Sequence, residues 1–161
     1  MKPVLLATDG SSSAAEATLE AIELAKAFDA PLVAIAVAHV TIPAYGYYGY
    51  GDILSELMKA EKDHVEKVLE QVQEAARAAG VTCDVISATG PVVDQIVKVA
   101  RARDARTIVI GAHGWGPLRR LVYGSVSTGV LHEAPCPVLV VRGDIDLLAE
   151  EPVFTNEAVA S

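Results

Sequence analysis

A glycine-rich stretch between two apolar segments carries the residues best suited to binding a ligand. Residues 111–125 read GAHGWGPLRRLVYGS and follow the short β-branched run 107–110, which is typical of a buried parallel strand. Ser125 then opens a short helical segment as a candidate N-cap. Glycines let a backbone approach a phosphate closely, and the N–H groups at a helix start attract anions. The stretch therefore predicts an anion-binding loop, to which Arg119 and Arg120 would add positive charge.

The glycine spacing excludes two common nucleotide-binding motifs. No Gly-Lys-Ser or Gly-Lys-Thr follows the glycines, so the loop is not a Walker A motif. The spacing Gly111-x₂-Gly114-x₉-Gly124 also differs from the G-x-G-x-x-G fingerprint of dinucleotide-binding folds. Glycines in loops serve as turn residues as well. Taken alone, the loop leaves ligand binding and simple turn formation both open.

Strands and helices are predicted to alternate along the first 142 residues. Apolar runs predict five strands, at residues 4–7, 32–40, 81–88, 107–110 and 138–141. Helical periodicity predicts four helices, at residues 14–28, 53–79, 91–103 and 126–132. We expect Ser13 and Glu16 to form a capping box on the first helix. Gly80 is expected to end the second helix in a left-handed conformation.

This alternation predicts an α/β fold with a doubly wound, five-stranded parallel sheet and helices on both faces. Right-handed crossovers give the strand order 3-2-1-4-5, which reverses between the first and fourth strands. Open α/β sheets bind ligands at such a reversal, beyond the C-terminal ends of the strands. Asp9 follows the first strand and Gly111 ends the fourth. Both features therefore point to one crevice.

Composition restricts the classes of partner and the compartment. The formal net charge is −8, with 13 basic and 21 acidic residues, which argues against nucleic acid and anionic membranes as partners. No apolar run approaches the roughly 20 residues of a membrane span, and the first residues lack a signal-peptide pattern. We expect a cytoplasmic protein. Cys83 and Cys136 form no C-x-x-C motif and are expected to be reduced, buried thiols.

Three segments together resemble the universal stress protein family: Ala7-Thr8-Asp9-Gly10-Ser11, His39-Val40 and Gly111-x₂-Gly114-x₉-Gly124-Ser125. The resemblance covers residues 2–142. It implies a cytoplasmic, homodimeric stress-response protein with a Rossmann-like, adenine nucleotide alpha hydrolase-like fold. The implied cofactor is ATP, alone or with Mg²⁺ or Mn²⁺ held by its phosphates. In the family the last strand pairs across the dimer, which here corresponds to the edge strand from Val138 to Val141.

The resemblance also implies roles for the matching residues. Asp9 would hydrogen-bond the ribose, and the backbone of Val40 would meet the adenine edge. The glycines at 111 and 114 would let the loop approach ribose and phosphates, and residues 124–126 would bind the β- and γ-phosphates. His113 and Arg120 are candidate phosphate contacts in the same loop. The complete set of candidate binding residues is Ala7, Thr8, Asp9, Val40, Gly111, His113, Gly114, Arg120, Gly124, Ser125 and Val126.

Two other functions remain open from sequence, a slow ATPase or phosphotransferase and a nucleotide-independent dimeric interaction module. Phosphoryl transfer needs metal-coordinating acids and a positioned nucleophile. Asp9 is the one acid that the sequence places at the crevice, so we assign no catalytic residue and no protein-held metal. His64 and His132 are interpreted as ordinary helical residues.

Two segments lie outside the predicted core pattern. Residues 41–52 are rich in tyrosine and glycine and are interpreted as a loop insertion. This insertion is either a lid over the nucleotide or a disordered or partner-contacting loop. Residues 143–161 are interpreted as a loosely held acidic tail.

Overall fold

The computed structural model describes residues 1–39, 51–112 and 124–142, without the side chains of residues 51–53. Within these ranges strands and helices alternate strictly: β1 (Val4–Ala7), α1 (Ser12–Ala27), β2 (Leu32–Ala38), α2 (Gly51–Ala78), β3 (Cys83–Thr89), α3 (Val92–Ala102), β4 (Thr107–Gly111), α4 (Ser125–Glu133) and β5 (Val138–Val141). The predicted loop insertion up to residue 50 and the predicted tail lie outside the described residues, as do four of the candidate site residues: Val40, His113, Gly114 and Arg120.

The strands form one parallel sheet in the order β3-β2-β1-β4-β5. This confirms the predicted fold class and strand order. The order in which successive strands are added reverses between β1 and β4, and β3 and β5 lie at the two edges.

Two hydrophobic layers cover the sheet, one on each face. On the first face, side chains such as Leu6 and Val109 pack against α1 and α2. On the second face, Leu5 and Ile108 pack with side chains of α3 and α4, among them Ile96. Because both faces are covered, β1, β2 and β4 are continuous apolar runs. The described part of the chain contains no helix that is long and apolar enough to cross a membrane.

The starts of two helices differ from the predictions. The N-cap of α1 is Ser11, which has an extended backbone and whose Oγ accepts from the Ala14 N–H at 3.3 Å. The helix therefore starts two residues before the predicted start. Ser13 is instead buried inside the helix, so the predicted capping box is wrong. The cap of α4 is Gly124, and Ser125 is the first helical residue rather than the N-cap.

The other element boundaries shift by a few residues. α2 begins at Gly51 rather than residue 53, β2 ends at Ala38 rather than residue 40, and β3 begins at Cys83 rather than residue 81. Gly80 ends α2 as predicted, with φ of +76°. Its N–H donates to the Arg77 carbonyl, and the following N–H reaches back to residue 76, which is the hydrogen-bonding pattern of a glycine-terminated helix.

Candidate functional site

The strands around β1 end at different heights, which leaves a notch in the sheet. Ala7, the last residue of β1, pairs with Ile35 of β2 and with Ile110 of β4. β2 continues past this level to Ala38, and β4 continues to Gly111. This stagger of the strand ends lies at the reversal of strand order, where α/β sheets bind ligands.

A cavity of about 410 Å³ opens beside this notch, on the face of the sheet that α2 covers. This volume falls within the range of about 300–1,000 Å³ that is typical of small-molecule sites. The walls combine apolar side chains from β2 and α2 with polar groups from the β1–α1 turn and α2. The lining residues are Thr8, Asp9, Ala36, Val37, Glu61, His64, Val65 and Val68.

The turn after β1 holds Asp9 at this cavity by local hydrogen bonds. The Asp9 Oδ1 accepts from the Ser11 N–H at 2.9 Å, and the Thr8 Oγ1 accepts from the Gly10 N–H at 3.3 Å. Gly10 has φ of +77°, and a Cβ there would lie 2.6 Å from Cγ2 of Val68. Thr8 is buried, whereas Asp9 is exposed. The turn therefore presents an anchored carboxylate at the rim of the cavity.

The end of β4 is tied to the start of α4. The carbonyl of Ala112 accepts the Gly124 N–H at 2.9 Å and lies 3.3 Å from Oγ of Ser127. The first helical hydrogen bond of α4 is donated by the Thr128 N–H to the Gly124 carbonyl. Ser125 and Val126 thus lie in the first turn, where N–H groups have no acceptor within the helix.

Gly111 is required for packing, independently of any ligand. A Cβ at this position would lie 2.6 Å from Oγ of Ser13 and 2.9 Å from the Ser13 backbone carbon. Such distances are too short for a real side chain. β4 can therefore pass this close to the start of α1 only because residue 111 has no side chain.

The predicted site residues fall into three groups in the structure. Ala7, Thr8, Asp9 and Gly111 come together at the adjacent ends of β1 and β4. Gly124, Ser125 and Val126 form the start of α4, which hydrogen-bonds to Ala112 directly after β4. The positions of Val40, His113, Gly114 and Arg120 lie outside the described residues and remain predictions.

The sequence prediction missed two residues of α2 that line the cavity. His64 is not an ordinary helical residue, because its Nε2 lies 3.2 Å from the carbonyl oxygen of Asp9. Glu61 is a second carboxylate at the cavity, where only Asp9 was expected. A signal was available: residues 61, 64, 65 and 68 share one helix face by their spacing. Nothing in the sequence showed that this face meets the β1–α1 turn.

Neither cysteine contributes a reactive thiolate to the site. Burial and the charge of Asp84 raise the pKa of the Cys83 thiol to about 11, against a partly compensating backbone hydrogen bond from Ala34. Burial likewise raises the pKa of Cys136. Both thiols are free, as predicted, but they are half-buried rather than buried, and both stay protonated at neutral pH. Within the described ranges, no group of three or more His, Cys, Asp or Glu side chains is placed to hold a metal ion.

Sequence comparison supports one family for the whole described region. The family model described as "Universal stress protein family" matches residues 1–142. The chain belongs to the universal stress protein family. A universal stress protein of Methanocaldococcus jannaschii is 37% identical over 145 residues, which cover 88% of this chain and 82% of that protein.

Solved structures of universal stress proteins share the fold. UspA from Lactobacillus plantarum superposes with a TM-score of 0.75 at 28% identity and covers 88% of this chain and 97% of its own. A second universal stress protein, solved in complex with cAMP, has a TM-score of 0.66 at 25% identity. That match covers 89% of this chain and 98% of the other. The second protein therefore combines this fold with a bound adenine nucleotide.

Proposed function

We propose that this universal stress protein binds ATP in the crevice between β1 and β4 and acts as a homodimeric stress-response regulator in the cytoplasm. The observation that carries the proposal is the notch above β1. The anchored Asp9 carboxylate follows β1 and adjoins an apolar-walled cavity, and the start of α4 is hydrogen-bonded to Ala112 directly after the neighbouring strand β4. The related protein that was solved with cAMP supports an adenine nucleotide as the ligand.

The chemistry of each part of the crevice matches one part of the nucleotide. The Asp9 carboxylate is an acceptor for ribose hydroxyl groups. The half-buried Val37, in the cavity wall, offers apolar surface for the base. The N–H groups of Ser125 and Val126 open a helix and favour phosphate oxygens. Because the Gly124 N–H already donates to Ala112, Gly124 would contribute the absence of a side chain rather than a hydrogen bond.

A metal ion would enter the proposed site together with the nucleotide. With no metal-binding cluster among the described residues, Mg²⁺ or Mn²⁺ would bind chiefly to the ATP phosphates, since Mg²⁺ commonly keeps phosphate and water ligands. In the part of the site that lies outside the described residues, Val40, Gly114, His113 and Arg120 remain the proposed contacts to adenine and phosphates.

Substitution of Asp9 tests the proposed site. We expect Asp9→Ala to weaken ATP binding by about 1–3 kcal/mol, the scale of a lost hydrogen bond to a charged group. This corresponds to about a fivefold to 150-fold loss of affinity by isothermal titration calorimetry. Asp9→Asn keeps an acceptor for the Ser11 N–H and removes only the charge, so its loss is expected to be smaller. Asp63→Ala, an exposed change on α2, is the matched control for removing one negative charge.

AMP provides the second arm of the same titration. If the start of α4 binds phosphates, the wild-type chain will bind AMP more weakly than ATP. Equal affinities for AMP and ATP would contradict the phosphate roles of residues 124–126. Unchanged ATP affinity in a folded Asp9→Ala variant would place the nucleotide elsewhere.

A further inference from the structure

α2 contacts the Asp9 turn at two points that are one helical turn apart. The Nε2 of His64 lies 3.2 Å from the Asp9 carbonyl oxygen. Val68 packs so closely on Gly10 that a Cβ at residue 10 would lie 2.6 Å from its Cγ2 and 3.7 Å from the His64 ring. The helix is therefore seated directly against the turn, and a glycine at position 10 is what permits the close approach.

The polar contact has a defined donor and acceptor. A carbonyl oxygen can only accept, so the ring Nε2–H of His64 is the donor. This donor exists both in the Nε2-protonated neutral ring and in the doubly protonated ring. Two hydrogen bonds within the turn, to Oδ1 of Asp9 and Oγ1 of Thr8, come from the turn's own N–H groups. His64 thus contributes a bond from a different element, 55 residues away in sequence.

We propose that His64 is a positioning residue of the nucleotide site. Its hydrogen bond to the Asp9 carbonyl fixes the orientation of the turn and so places the Asp9 carboxylate for the ribose. Through this bond, the affinity for ATP depends on the position of α2 relative to the Asp9 turn. The inference rests on the proposed function, because it assigns to His64 an effect on the ligand that Asp9 holds.

Two amide substitutions separate the hydrogen bond from other effects of the side chain. In His64→Gln the amide nitrogen has a reach similar to that of Nε2, whereas in His64→Asn it is too short. We expect His64→Asn to lower ATP affinity about threefold to tenfold, the equivalent of one net hydrogen bond, and His64→Gln to recover most of this loss. His132→Asn, on the exposed end of α4, is the matched control and should bind ATP like the wild type.

Combination with Asp9→Ala tests whether His64 acts through Asp9. In calorimetric titrations with ATP, His64→Asn should cost little further affinity once the Asp9 carboxylate is absent. An equal loss in both backgrounds would overturn the inference, because His64 would then act independently of Asp9. Wild-type affinity in His64→Asn, or equal losses in the Asn and Gln variants, would also overturn it. Failure of the proposed function looks different, since Asp9→Ala alone would then leave ATP affinity unchanged.

Discussion

Gly10 and Gly80 adopt the same backbone conformation for different purposes. Their φ angles are +77° and +76°, a region that other L-residues enter at a cost. Gly80 ends α2 in open space, with no atom within 4 Å of a hypothetical Cβ. Gly10 instead lies under Val68 of α2. The left-handed conformation alone explains why residue 80 is a glycine. Residue 10 must also lack a side chain, because a Cβ there would collide with Val68.

This pair allows backbone strain and packing to be measured separately. We expect Gly80→Ala to lower the free energy of unfolding by about 1–2 kcal/mol through left-handed strain. Gly10→Ala should lose about 1–3 kcal/mol more, because the added methyl group collides with Val68. Urea denaturation of both variants gives the two values. Equal losses would show that Val68 moves aside easily, which would contradict a tight contact between α2 and the turn at Gly10.

At the scale of single residues, the sequence indicated which residues belong to the site but not which residues they contact. Asp9 and Gly111 could be placed at the crevice because Asp9 follows a buried strand closely and Gly111 ends one. The cap of α1 could not be chosen among three consecutive serines, each of which is a good N-cap. Tertiary packing decides there, since Ser13 is buried against the position of Gly111. The role of His64 depends on the same kind of long-range contact.

At the scale of elements, the two edge strands expose similar apolar side chains but differ in charge. β5 has the sequence VLVV and exposes 38% of Leu139, and β3 at the other edge exposes 40% of Val85. An apolar edge strand is prone to pair with another chain. β3 contains a charged residue, Asp84, that pairs with Arg103 at 3.3 Å, whereas the four residues of β5 are all apolar. These features fit the proposed homodimer through β5 better than one through β3.

Matched lysine substitutions at the two edges test the proposed dimer. Leu139→Lys places a charge on β5 and is expected to convert the dimer to a monomer, because burying an unpaired charge is costly. Val85→Lys on β3 should leave the dimer intact. Size-exclusion chromatography with light scattering measures both molecular masses. A monomeric wild type, or dissociation by Val85→Lys alone, would contradict a β5 interface.

At the scale of the whole molecule, sequence alone was enough for the topology. Alternating apolar runs and helical segments, together with the right-handedness of crossovers, lead to the order 3-2-1-4-5 that the structure shows. The notch could not be predicted, because it depends on how far β2 and β4 extend past Ala7. The sequence likewise could not predict that α2 forms one wall of the cavity. Periodicity identifies the buried face of a helix but not the turn that the face meets.

Nucleotide binding is tested most directly by identifying the small molecules that the purified protein holds. The chain is purified without added nucleotide and denatured, and the released small molecules are identified by chromatography and mass spectrometry. We expect an adenine nucleotide in near-equimolar amount, or an empty chain that binds added ATP with a single-site calorimetric isotherm. A chain that releases no nucleotide and gives no heat of binding with ATP would contradict this expectation. The fold would then stand without its ligand, in favour of a nucleotide-independent interaction module.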